Sequence, residues 1–237
     1  MLKAILFDLD NTLLDFSGFK RESALAAAKA IHQAGVKETE RKLYGRIYEI
    51  YDSKGIEYQN TFQELLAGYE LGANLHEHAK QAAIIAYEKK KYSLLKPQAK
   101  VCRTLNALRN HYFKLGIVTD APRDKAWQRL VLAGLDHYFD PVVTFSDTGE
   151  HKPSVKPFKK ALSILKLNPD EVLFVGDNYE RDIAGAHSVG LKTCFAKYGS
   201  PSPKKTGLYE DMSIGKFEQL MGLTDSPIIF RKWGWKK

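Results

Sequence analysis

The stretch that decides the fold is LKAILFDLDNT, at residues 2–12. Within it, a short apolar run from Leu2 to Phe7 ends abruptly at Asp8. An apolar run of this length, bounded by a polar residue, predicts a buried β-strand. Runs of the same form recur at residues 115–118, 142–145, 172–175 and 193–195. The sequence therefore predicts five buried strands.

Helical patterns lie between most of these runs. Apolar residues recur at intervals of three and four along residues 101–112, 126–133, 158–165 and 183–189. Strands that alternate with helices indicate a parallel sheet with helices on both faces. We therefore expect an α/β fold with a doubly wound parallel sheet.

The segment of residues 16–94 departs from this alternation. It lacks a convincing strand and shows helical periodicity throughout, including tyrosines that favour a packing role. We expect an α-helical domain inserted after the first strand, with the α/β core formed by residues 1–15 and 95–222. Residues 223–237 are expected to form a basic C-terminal tail.

Composition excludes several classes of protein. The chain has 237 residues, of which 44% are hydrophobic and 27% charged, which excludes intrinsic disorder. No apolar run approaches the ~20 residues that a membrane span needs, and the N-terminal run is too short for a signal peptide. Two cysteines are too few for a disulfide framework. We expect a cytoplasmic protein with no membrane association.

The net charge of +8 favours an anionic partner without naming one. At the C-terminus, residues 231–237 (RKWGWKK) interleave bases with aromatic residues, as single-strand nucleic-acid binders do. This is one short tail with no second stacking platform. A solvated tail is therefore favoured, and nucleic acid is not the expected partner.

Asp8 and Asp10 follow the first predicted strand directly. In an open parallel sheet, the carboxyl ends of the strands form the crevice where ligands bind. Two carboxylates at that position repel each other unless a cation or a shared proton compensates. Mg²⁺ supplies this compensation and prefers oxygen ligands. An EF-hand calcium loop is excluded, because Leu13 and Phe19 occupy the positions where glycine and glutamate are needed.

A second acidic cluster follows the strand predicted at residues 172–175. Asp177 stands at the carboxyl end of this strand, after Gly176, which lets the backbone turn closely. If the two strands are neighbours, Asp177 can share the cation of Asp8. Asp182 is expected on the first turn of the next helix, where the helix dipole favours a negative charge.

Two further segments suit a phosphate. Thr119 ends the strand at residues 115–118, where its hydroxyl and the backbone N–H of Asp120 can donate to an anion. Lys152 precedes a helix expected to begin near Ser154, where an ammonium group can meet an anion. No Gly-x-Gly-x-x-Gly motif, Walker loop or Gly-x-Ser-x-Gly elbow is present, so dinucleotide-binding, ATP-binding and serine-hydrolase devices are not indicated.

Taken in order, these segments resemble the motif set of the haloacid dehalogenase-like hydrolases. The matching residues are Asp8-x-Asp10-x-Thr12, Thr119, Lys152 and Gly176-Asp177-x4-Asp182. The resemblance spans nearly the whole predicted core, and the helical insert matches the cap of the family's first subclass. It implies a Rossmann-like core and a phosphoric monoester hydrolase.

The resemblance also implies roles for the acidic residues. Asp8 would be the nucleophile that forms an aspartyl-phosphate, and Asp10 would protonate the leaving oxygen and then activate water. Mg²⁺ would be held by the Asp8 side chain, the Asp10 backbone carbonyl and Asp177. Asp182 would orient Lys152 or a metal-bound water.

The phosphoryl oxygens would be held by Thr119, Lys152 and the backbone N–H groups of Leu9 and Asp120. One departure concerns the lysine motif, because a second lysine, Lys156, follows closely in Lys156-Pro157-Phe158. Lys152 keeps the usual three-residue step from Gly149 and six-residue step to Phe158, so we prefer Lys152.

The resemblance favours a phosphatase over a dehalogenase, since the dehalogenases of the family lack an acid at the position of Asp10. An enclosed site suits a small phosphorylated metabolite. The substrates of relatives with such caps include sugar phosphates, glyceraldehyde 3-phosphate, phosphoglycolate, nucleoside monophosphates and a sialic acid 9-phosphate, and the sequence does not separate them. Four basic residues of the insert could contact the leaving group of the substrate, although we expect each of them to be solvated. They are Lys20, Arg21, Arg46 and Lys54.

Other functions stay open at this point. A phosphomutase of the same family is the nearest alternative. A non-catalytic anion-binding or nucleic-acid-binding protein would use the positive charge and the tail, and a regulatory module would be switched by phosphorylation of Asp8. The complete set of Thr119, Lys152 and Asp182 favours turnover. We expect a monomer or a homodimer.

Overall fold

The computed structural model of the protein describes residues 1–203 and 207–223. The expected C-terminal tail therefore lies outside the described residues, apart from Leu223. The chain divides into two compact units, which are Met1–Asp15 with the described residues from Lys96 onward, and Phe16–Leu95. The second unit ends one residue beyond the boundary expected from the sequence.

The core contains a six-stranded sheet in which every strand pair is parallel. The strands are β1 (Ala4–Phe7), β2 (Lys114–Val118), β3 (Val142–Val143), β4 (Val172–Gly176), β5 (Lys192–Ala196) and β6 (Met212–Ile214). Their spatial order is β3-β2-β1-β4-β5-β6. β1 thus lies at the point where the strand order reverses, which is where ligands bind in open α/β sheets.

The register of the sheet aligns the polar segments that follow its central strands. Phe7 pairs with Ile117 on one side and with Val175 on the other. One residue further along, Asp8 therefore lies between β2, which ends at Val118, and β4, which ends at Gly176. The side chains of β1 and β4 are buried throughout, as the continuous apolar runs predict for a sheet covered on both faces.

The helical insert consists of four helices. They are α1 (Phe16–Gln33), α2 (Glu40–Lys54), α3 (Thr61–Ala67) and α4 (Ala73–Leu94). The insert has its own apolar core, in which alanines of α1 and α4 pack with larger side chains of α2 and α3. Tyr51 and Tyr87 belong to this core and Tyr44 packs against it, in agreement with the packing role favoured by the sequence.

The positions of the basic residues in the insert correct one expectation. Arg21 and Lys54 are exposed, as expected. Lys20 is buried instead of solvated, with 7% of its surface exposed. Its ammonium group donates to the carbonyl of Ile56 at 2.6 Å and lies 4.9 Å from the ring centroid of Tyr51. Lys20 occurs four residues after the buried Phe16, on the apolar face of α1.

The core helices flank the sheet. They are α5 (Val101–Asn110), α6 (Arg123–Leu132), α7 (Phe145–Thr148), α8 (Val155–Leu165) and α9 (Gly185–Ser188). A π-helical turn at Tyr179–Ala184 leads directly into α9, and 3₁₀ turns occur at Pro169–Glu171 and Phe217–Leu223. The α/β fold with a doubly wound parallel sheet and a helical insert is confirmed.

Three details of the sequence-based prediction are wrong. The strand expected at residues 142–145 stops at Val143, because Thr144 caps α7 through a reciprocal capping box with Asp147. The helix expected at residues 183–189 begins as the π-helical turn at Tyr179–Ala184. The sequence analysis also missed β6, whose three residues are too few for a clear pattern.

In the part of the chain that the structure describes, no helix is long and apolar enough to cross a membrane.

Candidate active site

Three carboxylates meet at the carboxyl ends of β1 and β4. Asp8, Asp177 and Asp182 each place a carboxylate oxygen within 4.8 Å of the others, and all three are buried. Asp8 and Asp177 come from neighbouring strand ends, while Asp182 lies on the π-helical turn that follows β4. The sheet therefore brings together carboxylates that are up to 174 positions apart in the chain.

Lys152 lies inside this carboxylate group. Its Nζ donates to Asp8 Oδ1 at 2.5 Å and lies 2.7 Å from Asp182 Oδ1. It also donates to the carbonyl of Val118, at the end of β2. Only 3% of the residue is exposed. A lysine is almost never buried to this extent unless it is paired, and here two carboxylates provide the pairing.

Burial and proximity shift the pKa values of these groups. Desolvation raises the pKa of Asp8 well above its usual range, and the carboxylates of Asp182 and Asp177 raise it further while Lys152 opposes them. Desolvation and Asp182 raise the pKa of Asp177 to about 7. The pKa of Lys152 is lowered by burial but raised more by Asp182 and Asp8, so its net shift is upward. The carboxylates thus carry more negative charge than one lysine neutralises.

Asp10 is held by a different cation. Arg129 of α6 donates from Nη1 to Asp10 Oδ2 at 2.6 Å. The arginine side chain is 3% exposed and the aspartate side chain is 22% exposed. Asp10 precedes Asn11, whose φ of 61° turns the backbone in the left-handed region. The site therefore has two cation–carboxylate systems, one around Lys152 and one around Arg129.

The residues expected to hold a phosphate line the end of β2. Thr119 is buried, and its hydroxyl oxygen accepts from the backbone N–H of Ala121, which leaves the hydroxyl proton for another acceptor. The Asp120 carboxylate accepts from the backbone N–H of Lys152 at 2.8 Å. This bond ties the segment that carries Lys152 to the end of β2. Leu9 is fully buried in the turn after β1.

Gly176 is required by the close approach of Asp182. A Cβ atom on Gly176 would lie 2.5 Å from the Asp182 side chain, well inside any normal contact. Asp182 is further fixed by the backbone N–H of Asn178, which donates to its Oδ2. On the opposite side of the site, the hydroxyl of Thr12 donates to Asp177 Oδ1 at 3.2 Å. Local backbone and hydroxyl groups therefore orient the carboxylates.

The geometry favours Lys152 over Lys156 as the lysine of the site. Lys156 is exposed and forms an ion pair with Glu150 on the surface. Arg129 was missed from the sequence, and Thr12 was named in the first motif without its contact to Asp177. A signal for Arg129 existed, because it occurs three residues after Ala126 and one before Leu130, on the buried face of α6.

The carboxylate group has the chemistry of a site for a hard divalent cation. Its donors are carboxylate oxygens, which Mg²⁺ prefers. The four aspartates and the two buried cations of the site would carry a net charge of about minus two when all are ionised, which a divalent cation neutralises. Desolvation is the largest cause of the raised pKa values of Asp8 and Asp177, and the neighbouring carboxylates raise both values further. The residues present therefore fit a divalent metal ion.

The sequence profile of the haloacid dehalogenase-like hydrolases matches residues 5–196 of this chain. The chain belongs to this family. The match includes both acidic motifs, the end of β2 and Lys152, and the helical insert lies within it. The sequence-based identification of the family is confirmed.

A curated relative is the glyceraldehyde 3-phosphate phosphatase of Methanopyrus kandleri, which is 34% identical over 226 residues. The alignment covers 93% of this chain and 96% of the relative. The chain is thus similar over nearly its full length to a protein named as a phosphatase of glyceraldehyde 3-phosphate.

Two solved structures share the fold. A HAD phosphatase from Thermococcus onnurineus superimposes with a TM-score of 0.70 at 24% identity and covers 94% of this chain and 98% of its own. The HAD-hydrolase YfnB from Bacillus subtilis, described as bound to magnesium, has a TM-score of 0.66 at 22% identity, with coverages of 95% and 99%. At these identities the likeness concerns the fold.

Proposed function

We propose that the protein is a Mg²⁺-dependent phosphatase that hydrolyses a small sugar phosphate through an aspartyl-phosphate intermediate. Glyceraldehyde 3-phosphate is the first candidate substrate, because the Methanopyrus relative is named for it. One observation carries the proposal above all others: Asp8 lies at the central strand end, against Lys152 and within 4.8 Å of Asp177 and Asp182. This arrangement places a nucleophile among groups that bind an anion and a cation.

In the first step, a carboxylate oxygen of Asp8 attacks the phosphorus atom of the bound phosphomonoester. The bond from phosphorus to the leaving oxygen breaks, and its electron pair goes to that oxygen. Lys152 and the Thr119 hydroxyl lie at the end of β2 beside Asp8, where they can donate to the phosphoryl oxygens as charge develops. The backbone N–H groups of Leu9 and Asp120 are proposed to add further donors.

We propose that Asp10 acts as the general acid in the first step and as the general base in the second. It gives a proton to the leaving oxygen in the first step and takes one from the attacking water in the second. Water adds to phosphorus, the acyl-phosphate bond breaks, and the Asp8 carboxylate is restored with release of phosphate. Asp10 suits this role because its side chain is partly exposed and is not one of the three carboxylates that could share a metal ion.

A bound Mg²⁺ ion would neutralise the charge of the phosphate and align the phosphate for in-line attack. Asp8, Asp177 and the backbone carbonyl of Asp10 are the proposed ligands. Asp182 is proposed as a positioning residue, because it lies 2.7 Å from Lys152 Nζ and fixes the ammonium group beside Asp8.

The proposal keeps two expectations from the sequence. The protein is expected to act in the cytoplasm on a small metabolite, as a monomer or a homodimer. A phosphomutase of the same family is the second candidate, because it would use the same aspartyl-phosphate and differ only in the acceptor that takes the phosphoryl group.

The test is phosphate release from a panel of phosphorylated metabolites, with and without Mg²⁺. We expect release that needs Mg²⁺ and is highest for a three-carbon sugar phosphate. Accumulation of a rearranged phosphosugar without free phosphate would instead indicate the mutase. Phosphate release that is insensitive to chelation of divalent cations would contradict the metal dependence.

The Asp8→Asn variant is tested beside the wild type. It keeps the size of the side chain but removes the nucleophile, so turnover should fall by about 10⁴-fold or more. Ser146→Ala serves as a control, because Ser146 contacts the backbone of Arg123 on the surface of the same domain. Equal activity of Asp8→Asn and the wild type would refute the assignment of the nucleophile.

A further inference from the structure

Arg129 is an unusual residue for its position on α6. The helix buries one face, and the residues on this face are Ala126, Arg129 and Leu130. Two of them are small or apolar, as is normal for a helix that covers a sheet. The third is a permanently charged arginine that is 3% exposed. Arginine is rarely buried to this degree unless a partner compensates the charge.

One partner is the carboxylate of Asp10, which is 119 positions away in the chain. The distance from Arg129 Nη1 to Asp10 Oδ2 is 2.6 Å, which is short for a charge-assisted hydrogen bond. Both residues belong to the α/β core, so the contact lies within one unit of the protein.

The pairing separates Asp10 from the other acids of the site. Lys152 serves Asp8 and Asp182, and the group of three carboxylates that could hold a metal does not include the side chain of Asp10. A second cation paired with Asp10 is consistent with a second chemical task. A charge-assisted hydrogen bond to one carboxyl oxygen restricts the rotation of the group, and therefore also the directions in which its other oxygen can point.

We propose that Arg129 is the positioning residue for Asp10 and aims its carboxyl group at the leaving oxygen of the substrate. This inference rests on the proposed function, in which Asp10 transfers the protons. Arg129 acts through Asp10 and makes no contact with the reacting atoms. A solely structural ion pair would stabilise the core without any preference for one substrate over another.

A positioning role and a solely structural role for Arg129 predict different dependences of activity on the leaving group. A poor leaving group, such as the alkoxide of a sugar phosphate, needs protonation as it departs, whereas p-nitrophenolate departs readily without it. Misplacing Asp10 should therefore reduce kcat/KM for a sugar phosphate much more than kcat/KM for p-nitrophenyl phosphate. kcat/KM is the appropriate quantity, because it reports the first phosphoryl transfer and excludes the later hydrolysis of the intermediate.

The experiment measures both kcat/KM values for the wild type, Arg129→Met, Arg129→Lys and Arg123→Met. We expect Arg129→Met to lose about 10²-fold on glyceraldehyde 3-phosphate and less than about tenfold on p-nitrophenyl phosphate. Arg129→Lys restores part of the loss, because it keeps the charge but not the planar fork. Arg123→Met is the matched control from the same helix, since Arg123 is exposed and pairs with Asp147 on the surface.

A second measurement combines Arg129→Met with Asp10→Asn. If Arg129 acts through Asp10, the double variant is no slower on glyceraldehyde 3-phosphate than Asp10→Asn alone. Equal losses on the two substrates, or additive losses in the double variant, would overturn the proposal. If Arg129→Met does not fold, the kcat/KM values of Arg129→Lys on the two substrates are compared instead, and equal losses would again overturn the proposal. Failure of the proposed function is distinguishable, because the wild type would then release no phosphate from either substrate.

Discussion

Lys152 in the core and Lys20 in the helical insert are both buried, and the described contacts around their ammonium groups differ. In the core, Lys152 lies between the carboxylates of Asp8 and Asp182. In the insert, Lys20 donates to the backbone carbonyl of Ile56 and lies over the ring of Tyr51, with further aromatic rings within 6 Å. The first arrangement pairs the lysine with two carboxylates, and the second places the ammonium group beside aromatic rings, two of them tyrosines.

This difference indicates where chemistry can occur. A lysine paired with carboxylates lies in a strong electrostatic field. An anion or cation that binds nearby can change these ion pairs. A lysine held by aromatic faces and a carbonyl stabilises packing, and cation–π contacts of this kind contribute about 0.5–2 kcal/mol each. The degree of burial is similar for the two residues, so burial alone does not identify a functional lysine.

The largest expected effect comes from comparing methionine replacements of Lys152 and Lys20. Lys152→Met should lower kcat/KM by about 10³-fold, because it removes a donor to the phosphoryl oxygens. It should also lower the free energy of unfolding by about 3 kcal/mol, since it leaves buried carboxylates without their partner. Kinetics with p-nitrophenyl phosphate and urea unfolding measure the two quantities.

Lys20→Met should lower the free energy of unfolding by about 1–2 kcal/mol and change kcat/KM by less than about tenfold. Lys156→Met is the surface control, with an expected loss below about 1 kcal/mol, because exposed ion pairs contribute little. A loss of activity in Lys20→Met as large as that in Lys152→Met would break the distinction between the two units.

A second prediction concerns the pH dependence of stability in protein freed of metal with a chelator. The pKa of Asp177 is raised to about 7 in the folded state, so the folded state binds more protons than the unfolded state above about pH 4. The stabilisation from this group is therefore complete below about pH 4 and is lost as the pH rises through about 7. Thermal unfolding of the metal-free protein between these pH values measures the slope.

Mg²⁺ should stabilise the protein more at about pH 8 than at about pH 5.5, because a bound cation must displace the proton of Asp177. Asp177→Asn should reduce both the slope and the effect of Mg²⁺. The buried tyrosines of the insert do not contribute in this range, since burial raises the pKa of Tyr51 to about 12. A slope that is unchanged in Asp177→Asn would show that Asp177 is not its source.

A third prediction compares one glycine from each unit. Gly176→Ala in the core places a methyl group against the Asp182 side chain, so Asp182 must move and Lys152 with it. We expect a loss of about 10²-fold in kcat/KM, as is typical of a displacement of about 1 Å in an active site. Activity close to that of the wild type would show that the position of Asp182 is not critical.

The smallest expected effect comes from Gly45→Ala in α2 of the insert. Apart from its chain neighbours and the nearby backbone of its own helix, no atom of the described residues lies within 4 Å of the added methyl group, and alanine is the better helix former. The free energy of unfolding should increase by about 0.5–1 kcal/mol, with no change in activity. A destabilised variant would indicate that the space around Gly45 is more constrained than the structure shows.

The sequence was sufficient for the parts of the site that follow from sheet geometry. Asp8, Thr119 and Asp177 each follow an apolar run, and parallel strands bring their carboxyl ends to one edge. Position along a strand therefore predicts position in the site. The end of β3 was predicted wrongly, although the sequence contains a signal for it, because Asp147 three residues after Thr144 is typical of a capping box.

The contacts that long side chains make between helices and strand ends were not predictable in this way. The contact of Arg129 with Asp10 depends on the placement of α6 over the sheet and on the conformation of a long side chain. The burial of Lys20 depends on the aromatic residues that surround it from other helices of the insert. Helical periodicity identifies the buried face, but it does not show how a charged residue on that face is compensated.

The most direct test of the account is to trap the phosphorylated enzyme. Protein mixed with ³²P-labelled substrate and Mg²⁺ is quenched in acid within one turnover, digested, and its labelled peptide sequenced. The account predicts Mg²⁺-dependent label on the peptide that contains Asp8, lost in alkaline hydroxylamine and absent from Asp8→Asn. Label on another residue, or phosphate release by Asp8→Asn at the rate of the wild type, would contradict it.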